Sequence, residues 1–137
     1  MPTTARRVGY FHVKVPDKAG SGSRVLAALR DYGVNLLAFH AFPLGGGKSQ
    51  LDFVPSDEGV FLDAAGKAKL KVSARKAVLL VEGEDRAGAV ADVLQKLASA
   101  AANVRAIDAV RSGTGFGALI WVRPKDVDKA ARALGAT

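Results

Sequence analysis

The chain has 137 residues, nearly half of them apolar, with a formal net charge of +7 and no cysteine. That composition excludes an intrinsically disordered tail, a disulfide scaffold and any thiolate metal site, and it suits a reducing cytoplasm. Residues 1–7 carry two arginines with no apolar core of signal-peptide length behind them, and no apolar run is long enough to span a bilayer. The charge is uneven: residues 69–137 hold 12 Lys/Arg against 7 Asp/Glu, and residues 1–68 hold 8 against 6. Its densest part, Lys67, Lys69, Lys71, Arg75 and Lys76, is expected to be a solvated connector and charged strand edge.

Tyr10 to Val15 alternates, with Phe11, Val13 and Val15 on one side, and predicts a half-buried strand. Pro16 to Ser23 is a turn, and either Ser21 or Ser23 can cap the helix that follows. That helix runs to about Tyr32, with Val25, Leu26, Leu29 and Tyr32 on its apolar face, and Gly33 stops it. Leu36–Phe42 and Gln50–Val54 form a hairpin about the glycines of 45–47, with Leu51 and Phe53 inward. Pro55-Ser56-Asp57 opens a second helix ending near Gly66, and Lys69–Ser73 is expected to be a short fourth strand.

The pattern then repeats. Ala77–Glu82 is a strand, Ala89–Ala101 a helix with Val90, Val93, Leu94 and Leu97 inward, and Val104–Arg111 with Phe116–Val122 a hairpin. Pro124 opens a last helix with Val127, Ala130, Ala131 and Leu134 inward. An offset of 68 pairs Asp17 with Asp85, Gly20 with Gly88, Val25 with Val93, Leu29 with Leu97, Asn35 with Asn103 and Leu51 with Leu119. A register held from strand to hairpin implies a duplicated βαββαβ unit, residues 1–73 and 74–137, the second without its fourth strand. The fold expected is α+β: two ferredoxin-like units in tandem, each an antiparallel sheet with both helices on one face. In the first unit the other face would carry Tyr10, His12, Lys14, Gln50 and Asp52 and meet water. In the second it would carry Val78, Leu80, Ile120 and Val122, which need a cover, for which a second copy of the chain is expected.

Each first helix is led by an Asp-Lys/Arg-Ala-Gly turn: Val13-Lys14-Val15-Pro16-Asp17-Lys18-Ala19-Gly20 and Val81-Glu82-Gly83-Glu84-Asp85-Arg86-Ala87-Gly88. With the helix ends Gly33-Val34-Asn35 and Ala102-Asn103-Val104, the chain resembles a tandem ACT-domain protein over nearly its whole length. Alanine stands in both copies where that family usually has proline, and Ser21-Gly22-Ser23 departs from the apolar residues usual there. The resemblance implies a cytoplasmic, non-enzymatic sensor of a small amino acid, held between two such units, with a homodimer and an effector protein as partners. The site it implies comprises Asp17, Lys18, Ala19, Gly20, Ser21, Asn35 and Leu36, and in the second copy Asp85, Arg86, Ala87, Gly88, Ala89, Asn103 and Val104. The chemistry agrees: a helix N-terminus presents unpaired N–H groups to a carboxylate, glycine admits a close ligand, and aspartate can accept from an ammonium or cap the helix. Asn35 and Asn103 would add donors and acceptors from the same end of the sheet.

Other signals are weaker. Gly20-Ser21-Gly22 has Val25 where a dinucleotide site needs a third glycine, and Gly47-Lys48-Ser49 lies in a hairpin, not a phosphate loop. Gly115 to Trp121 overlaps an RNA-recognition sequence, with Phe116 expected on the open face and Trp121 toward the helices, but Thr114 and Ala118 replace its basic residue and second aromatic. His12 and Asp52 are expected to be surface neighbours. With His40 they lack metal-binding spacing, and no nucleophile accompanies them. No cofactor, metal or catalytic residue is therefore expected. A protein-interaction module using the second unit's apolar face is the alternative from another class.

Overall fold

The computed structural model describes residues 3–137. Two compact units are present: Gly9–Lys76, and the N-terminal segment through Val8 together with Ala77–Thr137. Strand β1 (Thr4–Pro16) therefore contributes to both. The first unit continues with α1 (Ser21–Asp31), β2 (Leu36–Gly45), β3 (Lys48–Pro55) and α2 (Glu58–Lys67), and its strands lie in the order β2-β3-β1. The second unit holds β4 (Lys76–Glu84), α3 (Ala89–Ser99), β5 (Val104–Ser112), β6 (Gly115–Val122), a 3-10 turn (Pro124–Asp126) and α4 (Val127–Leu134), in the order β1-β4-β6-β5.

Residues 3–8 thus belong with the second unit, although the sequence groups them with the first. Thr4–Val8 stands beside β4, where the repeat leaves the second sheet one strand short. Ala5 is buried in that unit's core, and Arg6 pairs with Glu82. On the far side of this segment, Arg7 N–H donates to the Thr137 carbonyl at 3.1 Å and Thr137 N–H to the Ala5 carbonyl at 3.3 Å. The fourth strand expected at Lys69–Ser73 does not form. Lys69 turns the chain with φ of 57°, and only Ser73 bonds to β1, its N–H donating to the His12 carbonyl at 3.0 Å.

Each helix packs by its spacing. On α1 the buried stripe is Ser21, Val25 and Leu29, and on α3 it is Ala89, Val93 and Leu97, one residue every four on both. In the first unit α1 and α2 cover Phe11, Val13, Val15, Leu51 and Phe53, with Phe61 stacked on Phe11 at 5.1 Å between ring centres. Burial of each such side chain contributes about 1.5–3 kcal/mol. Tyr32, expected inward, is exposed beneath the Lys67 ammonium, 5.8 Å from its ring centre. Asp57 caps α2 by accepting from Val60 N–H at 3.0 Å, and Gly135 ends α4 at positive φ.

The two hairpins differ by one residue. Each turns on two residues, closed by Gly45 opposite Lys48 in one and Ser112 opposite Gly115 in the other. Between Pro43 and Gly45, however, the first hairpin carries a bulge at Leu44 that the second lacks. Beyond the turn the structural offset is therefore 67, not 68: Phe53 faces Phe39 as Ile120 faces Ile107. A one-residue shift exchanges the faces of a strand. Ile120, Val122 and Phe116 consequently pack against the helices, and Leu119 and Trp121 join Val78 and Leu80 on the opposite face. This reverses the expected placement of Ile120, Val122, Phe116 and Trp121.

All four residues of that opposite face are at most 9% exposed, so they need no second copy to cover them. Neither an interaction module nor a dimer built on this face keeps its surface. An RNA-binding platform loses Phe116, which is buried in the core. Removing residues 1–8 is expected to strip hydrogen-exchange protection from the β4 amides and lower the second unit's thermal midpoint. Each kcal/mol lost lowers it by about 4–8 °C in a unit of this size. Unchanged protection in the truncated chain would contradict the strand assignment.

Candidate functional site

Both Asp-x-x-Gly turns lie between a strand end and a helix start, and the two are built alike. Gly20 (φ 90°) and Gly88 (φ 81°) stand at the N-caps of α1 and α3 in the left-handed conformation that favours glycine. Neither helix has a side-chain cap, so Ser21, Ser23 and the two aspartates do not serve as caps. Ser21 N–H and Ala89 N–H donate to the Lys18 and Arg86 carbonyls of their own turns, both at 3.2 Å, which leaves the next two amides of each first turn without a partner inside the helix. Each aspartate is tied by its backbone to the tip of the neighbouring hairpin: Asp17 N–H donates to the Gly47 carbonyl at 2.8 Å, and Asp85 N–H to the Thr114 carbonyl at 3.0 Å. Asp17 through Gly20 and Asp85 through Gly88 are exposed.

The side chains then diverge. Asp17 accepts from Ser49 Oγ at 3.0 Å, beside a cavity of about 250 Å³ lined also by Lys18, Ser21, Ala41 and Leu51. Asp85 is bridged by Arg111 Nε at 2.9 Å, and Arg86 pairs with Asp92. Asp85, Arg86 and Arg111, with Gly88, Ala89 and Phe116, border a second cavity of about 320 Å³.

Asn35 and Asn103 do not join these turns. Strands β1 and β2 are both antiparallel to β3 and so parallel to each other, and α1 carries the chain back along the sheet between them. The start of β2 therefore lies at the other end: Leu36 pairs with Pro55, and Val15, near Asp17, pairs with Ser49. Six residues of β3 separate the two places, about 20 Å of strand. The Asn35 carbonyl accepts from Ser56 N–H at 2.9 Å and Ser56 Oγ at 3.0 Å. Leu36, Asn103 and Val104 occupy the same distal end of their units.

On the first unit's non-helical face, His12, Asp52 and His40 form a row across β1, β3 and β2. Asp52 does not meet water as expected: it is 3% exposed and accepts from Gln50 Nε2 at 2.9 Å, with His40 Nδ1 3.5 Å away. His12 Nδ1 is buried without a hydrogen-bond partner. Among the described residues no group of three metal-ligating side chains is assembled, and no helix is long and apolar enough to cross a membrane.

The ACT domain model of known families matches residues 77–136. Asp85, Arg86 and Gly88, in the turn between β4 and α3, and Ala89, which opens α3, fall within the matched stretch. Solved structures share the fold well beyond it. A protein from Bacteroides thetaiotaomicron superposes with a TM-score of 0.82 at 18% identity, over 96% of this chain and 88% of its own. The ligand-free regulatory subunit of aspartate kinase from Thermus thermophilus gives 0.67 at 17% identity, over 98% and 95%. The regulatory subunit of aspartate kinase from Thermus flavus gives 0.64 at 20%, over 98% and 94%. No curated protein matches the sequence.

Sequence reasoning missed the Arg111–Asp85 and Arg86–Asp92 pairs. It also missed that Ser21 lies on a buried helix stripe, for which the spacing of 21, 25 and 29 is a usable signal. Burial, then the Lys76 charge, lowers the His12 pKa below its ordinary 6.5; Asp52 opposes this and Lys14 adds to it. The folded protein thus resists a proton that the unfolded chain accepts. Stability is full above pH 6.5 and falls as pH drops through it. Urea unfolding at pH 7.5 and 5.5 should show this loss in the parent and less of it in His12→Gln.

Proposed function

We propose that the chain is a tandem pair of ACT units that senses an α-amino acid and has no catalytic activity of its own. The observation that carries this is the twice-built turn: a left-handed glycine opening a helix, with an exposed aspartate three residues before it and a cavity beside it. The helix amides suit a carboxylate and the aspartate suits an ammonium, so one turn offers both poles a zwitterion needs. Residues 9–76 repeat the element order of the ACT domain at 77–136 as far as the second helix, which supports assigning both units to the type. Likeness to regulatory subunits over almost the whole chain supports a regulatory role. Binding would alter the stability of one unit's turn and hairpin tip together, since Asp17 and Asp85 are bonded to both. Couplings of that kind are typically worth ~1–3 kcal/mol.

Thermal-shift measurements with the twenty amino acids test this. A ligand at 100 times its dissociation constant should add about 2.7 kcal/mol of stability. The double variant Asp17→Ala/Asp85→Ala should fold, because both carboxylates are exposed, and should lose the shift. A flat response of the parent to all twenty would exclude amino-acid sensing.

A further inference from the structure

We propose that the two turns differ in function: the one around Ser21 holds the ligand, an amino acid with an apolar side chain, and the one around Asp85 has its charges met by its own ion pairs. This rests on the amino-acid-sensing role above and adds which turn binds and what it selects.

Ser21 is the decisive residue. It falls on the buried stripe of α1 and is 5% exposed, yet its Oγ has no hydrogen-bond partner, and it lines the cavity beside Asp17. A buried hydroxyl left unsatisfied is costly and calls for a partner. A carboxylate at the end of α1, accepting also from the first-turn amides, supplies one. The corresponding position on α3 is Ala89, which offers nothing. The hydroxyl is therefore dispensable for packing at this place in the fold.

Charge points the same way. The first turn sets two cations, Lys18 and Arg24, where the second has a cation and its counter-ion, Arg86 and Asp92, already paired. Arg111, which occupies the Asp85 carboxylate, is matched in the first hairpin by Pro43, which cannot. The first turn thus keeps an excess of positive charge for a carboxylate, and Asp17, engaged by the neutral Ser49, retains its charge for an ammonium.

The side chain's place follows from the neighbouring groove. Gly22, Ala41 and Leu51 border both the cavity at Ser21 and a groove of about 670 Å³ between α1 and β2, walled by Leu26 and Phe39. Phe39 is 39% exposed there. An aliphatic or aromatic side chain would remove that surface from water; the one charged group lining the groove, Arg30, is already paired with Asp31, so a charged side chain gains less there.

Titration calorimetry of the full chain tests the assignment, with leucine, isoleucine and phenylalanine against aspartate, lysine and serine. Leucinamide and N-acetyl-leucine probe the two poles. One apolar amino acid should bind per chain, and each capped leucine should bind at least tenfold more weakly. Ser21→Ala should weaken leucine at least tenfold while the unliganded melting midpoint stays level or rises, because alanine already serves at position 89. Arg111→Ala should leave affinity unchanged. Undiminished binding to Ser21→Ala, loss on Arg111→Ala, two ligands per chain, or preference for a charged or hydroxylated amino acid would overturn the assignment but leave amino-acid sensing standing. Absence of binding by all twenty would remove both.

Discussion

Strand β1 spends its first five residues in one unit and its last eight in the other. The second sheet would end at β4 without them, with the main-chain groups on one side of that strand open to water or to another strand. Thr4–Val8 fills the position, and Ala5 adds a side chain to the core beneath α3 and α4. The remaining arrangement follows from the same strand. Its last residues set the turn at Asp17, and the chain's final residue, Thr137, bonds back onto its beginning. A duplicated sequence has thus produced units that are not cut where the repeat is cut.

Helices, hairpins and the repeat were legible because their signals are local. Apolar residues at spacings of four marked α1 and α3, and paired glycines marked each turn. Three features were not legible, each for a definite reason. The missing strand came from the N-terminal segment, where Arg6 lies 76 positions from its partner Glu82, and no window on the sequence joins Thr4 to β4. The bulge at Leu44 is one unpaired residue, and chance identities such as Leu51 with Leu119 concealed it by keeping an ungapped offset alive. The asparagines were placed by order in the chain, which says nothing about the end of the sheet until strand directions are known.

The site divides along the same line. Gly20 and Gly88 were readable, since a helix entry at positive φ needs glycine and the motif announces it. The partners of Asp17 and Asp85 were not, because they come from the hairpins, across the sheet from their own turns. Two turns identical in backbone therefore differ in what surrounds them. One is left with an unmet hydroxyl and surplus positive charge, and the other is electrically complete. The differences at 21/89, 24/92 and 43/111 give each turn its own electrostatics.

The bulge has a genetic corollary. Two homologous stretches in one reading frame can exchange by unequal crossing-over, and the 68-residue repeat fixes where such exchanges align. A crossover before the hairpin turn would carry Leu44 with its own return strand and preserve which side faces the helices. A crossover beyond it would deliver Asp52 to the slot of Ile120, a fully buried position against α3 and α4. In a hybrid joined at that offset, the single extra residue would decide which side of the return strand faces the helices.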